Sequence, residues 1–96
     1  MELRQALQME LQDSELWLKR EKDESTYKRD LKKRIELINW VLENMKNPNT
    51  NICKLIESKM DEILIKIKKT NSIFEMDPLD SELRILNWIL YQVSSN

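Results

Sequence analysis

Glycine and histidine are both absent from this 96-residue sequence, and proline occurs only at Pro48 and Pro78. The absence of glycine excludes the phosphate-binding loops G-x-x-x-x-G-K and G-x-G-x-x-G and disfavours tight β-hairpin turns. The absence of histidine removes the commonest acid–base group and the commonest metal ligand. Because helices tolerate the loss of glycine best, these absences predict an all-helical protein.

Metal sites and nucleophilic active sites also lack the residues they need. The single Cys53 cannot form a structural zinc site or an internal disulfide, and no histidine is present to activate its thiol. The carboxylate pairs Glu10/Asp13 and Glu57/Asp61 have a spacing typical of solvated helix surfaces. We therefore predict that the protein is not an enzyme, with no catalytic residue, no metal and no cofactor.

The overall composition is that of a folded domain with little net charge. Apolar residues make up 41% and charged residues 34%, which is too hydrophobic for a disordered chain. Sixteen basic and seventeen acidic residues give a net charge of −1, so no global field attracts nucleic acid or an anionic membrane. No apolar run approaches the ~20 residues that cross a bilayer. The amphipathic N-terminal segment does not resemble a signal peptide, and together with the lone cysteine it predicts a cytoplasmic protein.

Apolar residues recur at helical spacing in four segments. The first helix is predicted over about residues 2–21, the second from Tyr27 to Met45, and the third from a cap at Asn49 or Thr50 to about Lys69. The fourth is predicted to begin with Asp77 as its cap and Pro78 at its first position. The chain is thus expected to be a single all-α domain, either a four-helix bundle or a pair of helical hairpins, at about 2–46 and 50–94, assembled as a homodimer.

Two connections are harder to interpret from sequence. Residues 21–26 contain neither glycine nor proline, so the first two helices can be separate or continuous. The connection from Thr70 to Met76 contains Ile73 and Phe74 and is too apolar for a fully solvated loop. We expect these apolar side chains to cover one end of the core.

The sequence shows a weak internal repeat. The segments Ile35–Met45 and Leu83–Val93 each contain Asn-Trp followed by two apolar residues, and Trp40 and Trp88 lie 48 residues apart. The same spacing pairs Leu7 with Leu55. The pattern indicates a duplicated helical hairpin, although two amphipathic helices of one bundle can acquire similar patterns independently.

Both tryptophans lie away from the centre of the apolar stripe on their helices. At ~100° per residue, Trp40 and Trp88 each fall about 60° beyond its edge. Each ring must cover a neighbouring helix or contact a partner, where tryptophan is enriched in binding hot spots. With the preceding Asn39 and Asn87 they form the candidate partner interface.

A basic face is the one local concentration of charge. Lys28, Arg29, Lys32 and Lys33 lie close together on the second helix and could meet phosphates or an acidic protein surface. Asp30 and Glu36 lie among them, so an ordinary solvated surface is the alternative interpretation.

The favoured hypothesis is a non-catalytic helical protein–protein interaction module, such as a small inhibitor, adaptor or regulator. The Lys-, Ile- and Asn-rich composition fits an AT-rich gene, which associates the chain with small bacteriophage or mobile-element proteins that modify host defence or lysis timing. The alternative is an oligomeric binder that sequesters an anionic ligand or nucleic acid through the basic face.

Overall fold

The computed structural model describes residues 3–95 and contains, within them, four helices and no strand. The helices are α1 (Leu3–Arg20), α2 (Thr26–Asn44), α3 (Ile52–Lys69) and α4 (Ile73–Ser95). Short connections join α1 to α2 and α3 to α4, and each pair packs together as an antiparallel hairpin. The hairpins meet where α2 packs on α4, and α1 also contacts α4. The predicted class, a small all-α helical bundle, is confirmed.

The core comes from the predicted apolar stripes. Its centre is formed by residues of α2 and α4. The outer helix α1 adds one buried apolar side chain and α3 adds two. These buried residues are Leu7, Leu37, Ile38, Val41, Ile56, Ile63, Ile85, Leu86 and Ile89. Removal of their apolar surface from water is the main force that holds the two hairpins together.

Side-chain caps define where α2 and α3 begin. The Ser25 hydroxyl accepts a hydrogen bond from the Lys28 amide at 3.1 Å, so α1 and α2 are separate helices and not one rod. The Asn51 side chain accepts from the Lys54 amide at 3.1 Å. The cap of α3 is therefore Asn51, and the predicted cap at Asn49 or Thr50 is wrong by one or two residues.

The predicted start of α4 at Asp77 is wrong, because the helix begins about one turn earlier at Ile73. The Ser72 hydroxyl accepts from the Phe74 amide at 3.2 Å, and the Ser72 carbonyl accepts from the Met76 amide at 2.9 Å. Pro78 consequently lies inside the helix, where it has no N–H to donate to the Phe74 carbonyl. Asp77 does not cap the helix. Its carboxylate instead accepts a hydrogen bond from Arg29.

The early start of α4 also overturns the predicted role of its first apolar residues. Ile73 and Phe74 are 81% and 89% exposed, so they do not cover the end of the core. The side chains of a helical turn point outward in all directions, and those of Ile73 and Phe74 do not pack closely against another described helix. Met76 is also exposed, at 37%.

The two hairpins have almost the same pattern of exposure. All but one of the 18 positions of α1 fall in the same exposure class as the position 49 residues later in α3. Every position from 33 to 44 in α2 matches the position 48 residues later in α4. The outer helices therefore correspond at 49 and not at the predicted 48, because the segment between matched positions of the outer and central helices is one residue shorter in the second hairpin. We call residues paired by these two offsets equivalent positions, and we apply the offset of 48 also to positions 25–32, of which four keep their exposure class.

The beginnings of α2 and α4 lie close together. Arg29 Nη2 lies 3.2 Å from Asp77 Oδ2, and these residues are 48 positions apart near the starts of the two helices. Further along, Ile38 of α2 packs in the same cluster as Leu86 of α4. The central helices α2 and α4 therefore run side by side in the same direction, and each hairpin contributes one outer helix, α1 or α3.

Candidate functional site: an open groove between α1 and α4

A cavity of about 220 Å³ lies between the first hairpin and α4. Glu10 of α1 and Arg34 of α2 lie on one side, joined by an ion pair of 2.9 Å between Nη1 and Oε1. Ile85 and Trp88 of α4 supply the apolar wall. The complete lining is Glu10, Asp30, Arg34, Ser81, Arg84, Ile85 and Trp88.

Helical spacing places further exposed residues on the helix faces that line this cavity. Phe74, Ser81 and Trp88 follow one another at intervals of seven residues and so lie on the same face of α4. Trp17 is seven residues beyond Glu10 and lies on the same face of α1. Since α1 and α4 run in opposite directions, Trp17 and Phe74 belong to the same end of the groove. We call this surface, from Phe74 and Trp17 to Trp88, the α1–α4 groove.

The upper end of the groove is apolar and exposed. Phe74 is 89% exposed and Trp17 is 47% exposed. The Arg20 guanidinium lies 5.2 Å from the centre of the Trp17 ring, which limits the freedom of the indole by a cation–π contact. The groove thus has aromatic residues at both ends and the Glu10–Arg34 ion pair between them.

On the other side of the molecule, a lysine lies over the tryptophan that is equivalent to Trp88. Trp40 is equivalent to Trp88, and Lys59 is equivalent to Glu10. The Lys59 ammonium lies 5.9 Å from the centre of the Trp40 ring and covers it, whereas Glu10 turns away from Trp88 to Arg34. Thr26 and Lys66 stand at the positions equivalent to Phe74 and Trp17. The side that carries Trp88 therefore has a cavity and two further exposed aromatic residues, whereas the side that carries Trp40 has a lysine over its ring and polar residues at the other two positions.

The structure places the four residues of the predicted partner interface on two different sides. Trp40 and Trp88 are both half-buried and pack against the core, which explains their position beyond the apolar stripe. Asn39 and Asn87 are exposed beside them. Of the two rings, only Trp88 lines the open cavity described above.

Each cation of the predicted basic face lies against a carboxylate. Lys28 and Lys32 contact Glu24 at 3.2 and 3.7 Å, Arg29 contacts Asp30 and Asp77, and Lys33 contacts Glu36 at 3.1 Å. The hydrogen bond from Lys28, with the positive charges of Lys28 and Lys32, lowers the pKa of Glu24 below its ordinary value. These pairs neutralise much of the charge that an anionic ligand would need.

Within residues 3–95 there is neither a metal-site cluster nor a membrane-spanning helix. No group of three or more Cys, Asp or Glu side chains has the arrangement of a metal site in this part of the chain. Among the described helices, none combines the length and apolar character needed to cross a membrane.

Sequence reasoning missed Trp17 and Phe74 as members of the site. Trp17 lies on an amphipathic helix without a pattern that distinguishes it, and Phe74 was predicted to lie in the connection from Thr70 to Met76. The available signals were the seven-residue spacing from Phe74 through Ser81 to Trp88 and the Ser72-x-x-Glu75 pattern, which is typical of a helix start.

Comparison with protein-family models, curated proteins and solved structures finds no match to this chain.

Proposed function

We propose that the protein is a non-catalytic interaction module that binds a helical segment of a partner protein in the α1–α4 groove. The observation that carries the proposal is the difference between the two equivalent sides of the molecule. The fold accepts Thr26 and Lys66 on one side, so it does not require Phe74 and Trp17 on the other. Exposed aromatic residues that folding does not require are typical of a binding surface.

The dimensions of the groove define the ligand. Phe74 and Trp88 are separated by fourteen residues of helix, or about 21 Å. A partner helix of about four turns matches this length. It would need apolar anchors near each end, to meet the aromatic residues, and polar groups between them, to meet the Glu10–Arg34 pair.

By covering a surface of its partner, the protein would act as an inhibitor, adaptor or regulator. The proposal also places it in a reducing cytoplasm, which suits the free thiol of Cys53. The composition associates the chain with bacteriophage or mobile-element proteins that act on host proteins. The alternative of an anionic ligand on the basic face has less support, because each of its cations already contacts an acid.

Affinity capture from cells that produce the protein tests the proposal. Trp17→Ser combined with Phe74→Ser is expected to reduce recovery of the captured partner at least about tenfold, the effect of losing about 1.4 kcal/mol of binding energy. Matched control substitutions are Met9→Ser and Ile65→Ser, which change residues 52% and 53% exposed outside the groove. Equal loss from the control protein, or no partner captured by the wild type, would contradict the proposal.

A further inference from the structure

A second exposed apolar surface lies on the outer side of the α3–α4 hairpin, near its connection. A cavity of about 350 Å³ is lined there by Ile67, Ile73, Met76, Asp77 and Asp80. Leu64, 41% exposed, lies one turn before Ile67 on α3. We call Leu64, Ile67, Ile73 and Met76 the hairpin face. It is distinct from the α1–α4 groove, because Ile73 and Phe74 are adjacent residues and point about 100° apart around α4.

The first hairpin shows that folding does not require this apolar surface. The positions equivalent to Leu64, Ile73 and Met76 are Glu15, Ser25 and Lys28. Glu15 and Ser25 are exposed, and the Lys28 ammonium forms an ion pair with Glu24 at 3.2 Å. Three polar residues thus occupy the places that carry three exposed apolar residues in the second hairpin. The hairpin face is therefore suited to an external contact.

Charged residues of both signs flank the hairpin face. Lys68, on the α3 side, forms no ion pair with any described residue. Asp80, on the α4 side, contacts only the exposed Arg84 of its own helix. A two-fold contact that lays α3 of one chain over α4 of the other brings Lys68 against Asp80 twice.

We propose that the hairpin face binds a second copy of this chain. A two-fold interface must carry both members of every complementary pair. The hairpin face supplies the apolar centre, and Lys68 and Asp80, which flank it, supply the cation and the acid. The net charge of −1 offers little repulsion between two copies. The dimer leaves the α1–α4 groove of each chain on a different face and so presents two grooves, but it does not depend on the function proposed for them.

Sedimentation equilibrium of the purified chain tests the dimer. The wild type is expected to be dimeric at micromolar concentration, and Ile73→Ser with Met76→Ser is expected to weaken association at least about tenfold. Tyr91→Ser is the matched control, because Tyr91 is 68% exposed elsewhere on α4, and it should not change the dissociation constant. Circular dichroism of each variant establishes that the helices are retained.

Charge reversal identifies the partner as a second copy. Lys68→Glu and Asp80→Lys should each weaken dimerisation about tenfold, because each places like charges together across the two-fold axis. The two reversals combined in one chain should restore it, because they recreate both pairs with opposite sign. A wild type that stays monomeric at several hundred micromolar, or single reversals without effect on the dimer, would overturn the proposal. If the protein is monomeric but still captures a partner through Trp17 and Phe74, the dimer is excluded and the proposed function is not affected.

Discussion

Lys59 and Glu10 occupy equivalent positions, but Lys59 contacts the neighbouring tryptophan ring and Glu10 does not. The face of an indole ring carries partial negative charge, which attracts an ammonium group and repels a carboxylate. Lys59 therefore lies over Trp40, and Glu10 pairs with Arg34 and leaves Trp88 facing the cavity. A single difference in charge thus accounts for one covered ring and one open groove.

At Ser14 the first hairpin buries a polar residue where the second hairpin buries an apolar one. It is 1% exposed, and its Oγ has no hydrogen-bond partner, while the equivalent residue, Ile63, fills its site with apolar atoms. A buried hydroxyl without a partner costs about 1–3 kcal/mol of desolvation. Ser14 therefore reduces the stability of the packing between α1 and the central helices.

Ser14→Ala is expected to raise the free energy of unfolding by about 1 kcal/mol, because it removes the unpaired hydroxyl and improves helix propensity. Urea denaturation followed by circular dichroism measures the change. Ser94→Ala is a suitable comparison, since Ser94 is exposed and has no buried polar group to lose. Destabilisation by Ser14→Ala would show that the hydroxyl has a partner that its environment here does not reveal.

At the scale of the element, α4 differs from the other helices by the proline in its second turn. Pro78 removes one backbone hydrogen bond, that from its own nitrogen to the Phe74 carbonyl, and a proline within a helix costs about 3 kcal/mol relative to alanine. The turn before it remains helical because Ser72 caps it, and Thr70 Oγ1 donates to Glu75 Oε2 at 2.6 Å. This weakly held turn carries Phe74 and Ile73, one residue of each proposed contact surface.

Pro78→Ala is expected to stabilise α4, because it restores the hydrogen bond to the Phe74 carbonyl. A gain of about 1 kcal/mol would raise the melting temperature of a domain of this size by about 4–8 °C. Amide hydrogen exchange supplies the local measurement, since protection should rise for the amides of the first two turns of α4 while those of α2 stay unchanged. An unchanged melting temperature and unchanged exchange would contradict this description of α4.

The interior of each helix could be predicted from sequence, whereas its ends and neighbours could not. The spacing of Leu31, Ile38 and Leu86 was enough to place them on buried stripes, because helical periodicity is a local property. The start of α4 depended on a competition between two local signals, at Ser72 and at Asp77. In the structure Ser72 lies at the helix start, and the Asp77 carboxylate instead contacts Arg29, which is distant in sequence.

The candidate site was predictable only in part for the same reason. The angles of Trp40 and Trp88 around their helices showed that both rings lie beyond the core stripe. Which helix each ring meets depends on how the hairpins pack, and so does the difference between Lys59 over Trp40 and the open cavity at Trp88. Local sequence patterns do not determine these tertiary contacts.

At the scale of the whole molecule, the two hairpins provide an internal comparison. They share their exposure pattern, their central packing and a contact between equivalent residues at Arg29 and Asp77, yet their surfaces differ. Residues that the fold needs recur in both halves, and residues that serve other roles occur in one. This comparison supports the proposal that Phe74, Trp17 and the hairpin face serve interactions and are not needed for folding.

The central claim is that the α1–α4 groove, and not its covered equivalent, contacts a partner protein. Site-specific photo-cross-linking in producing cells tests it most directly, with a benzophenone amino acid placed at Ser81 in the groove or at its equivalent, Lys33, on the other side. The account predicts a discrete cross-linked product from position 81 and none from position 33, with the position-81 product lost when Trp17 and Phe74 are changed to serine. Products of equal yield from both positions, or none from position 81, would contradict it.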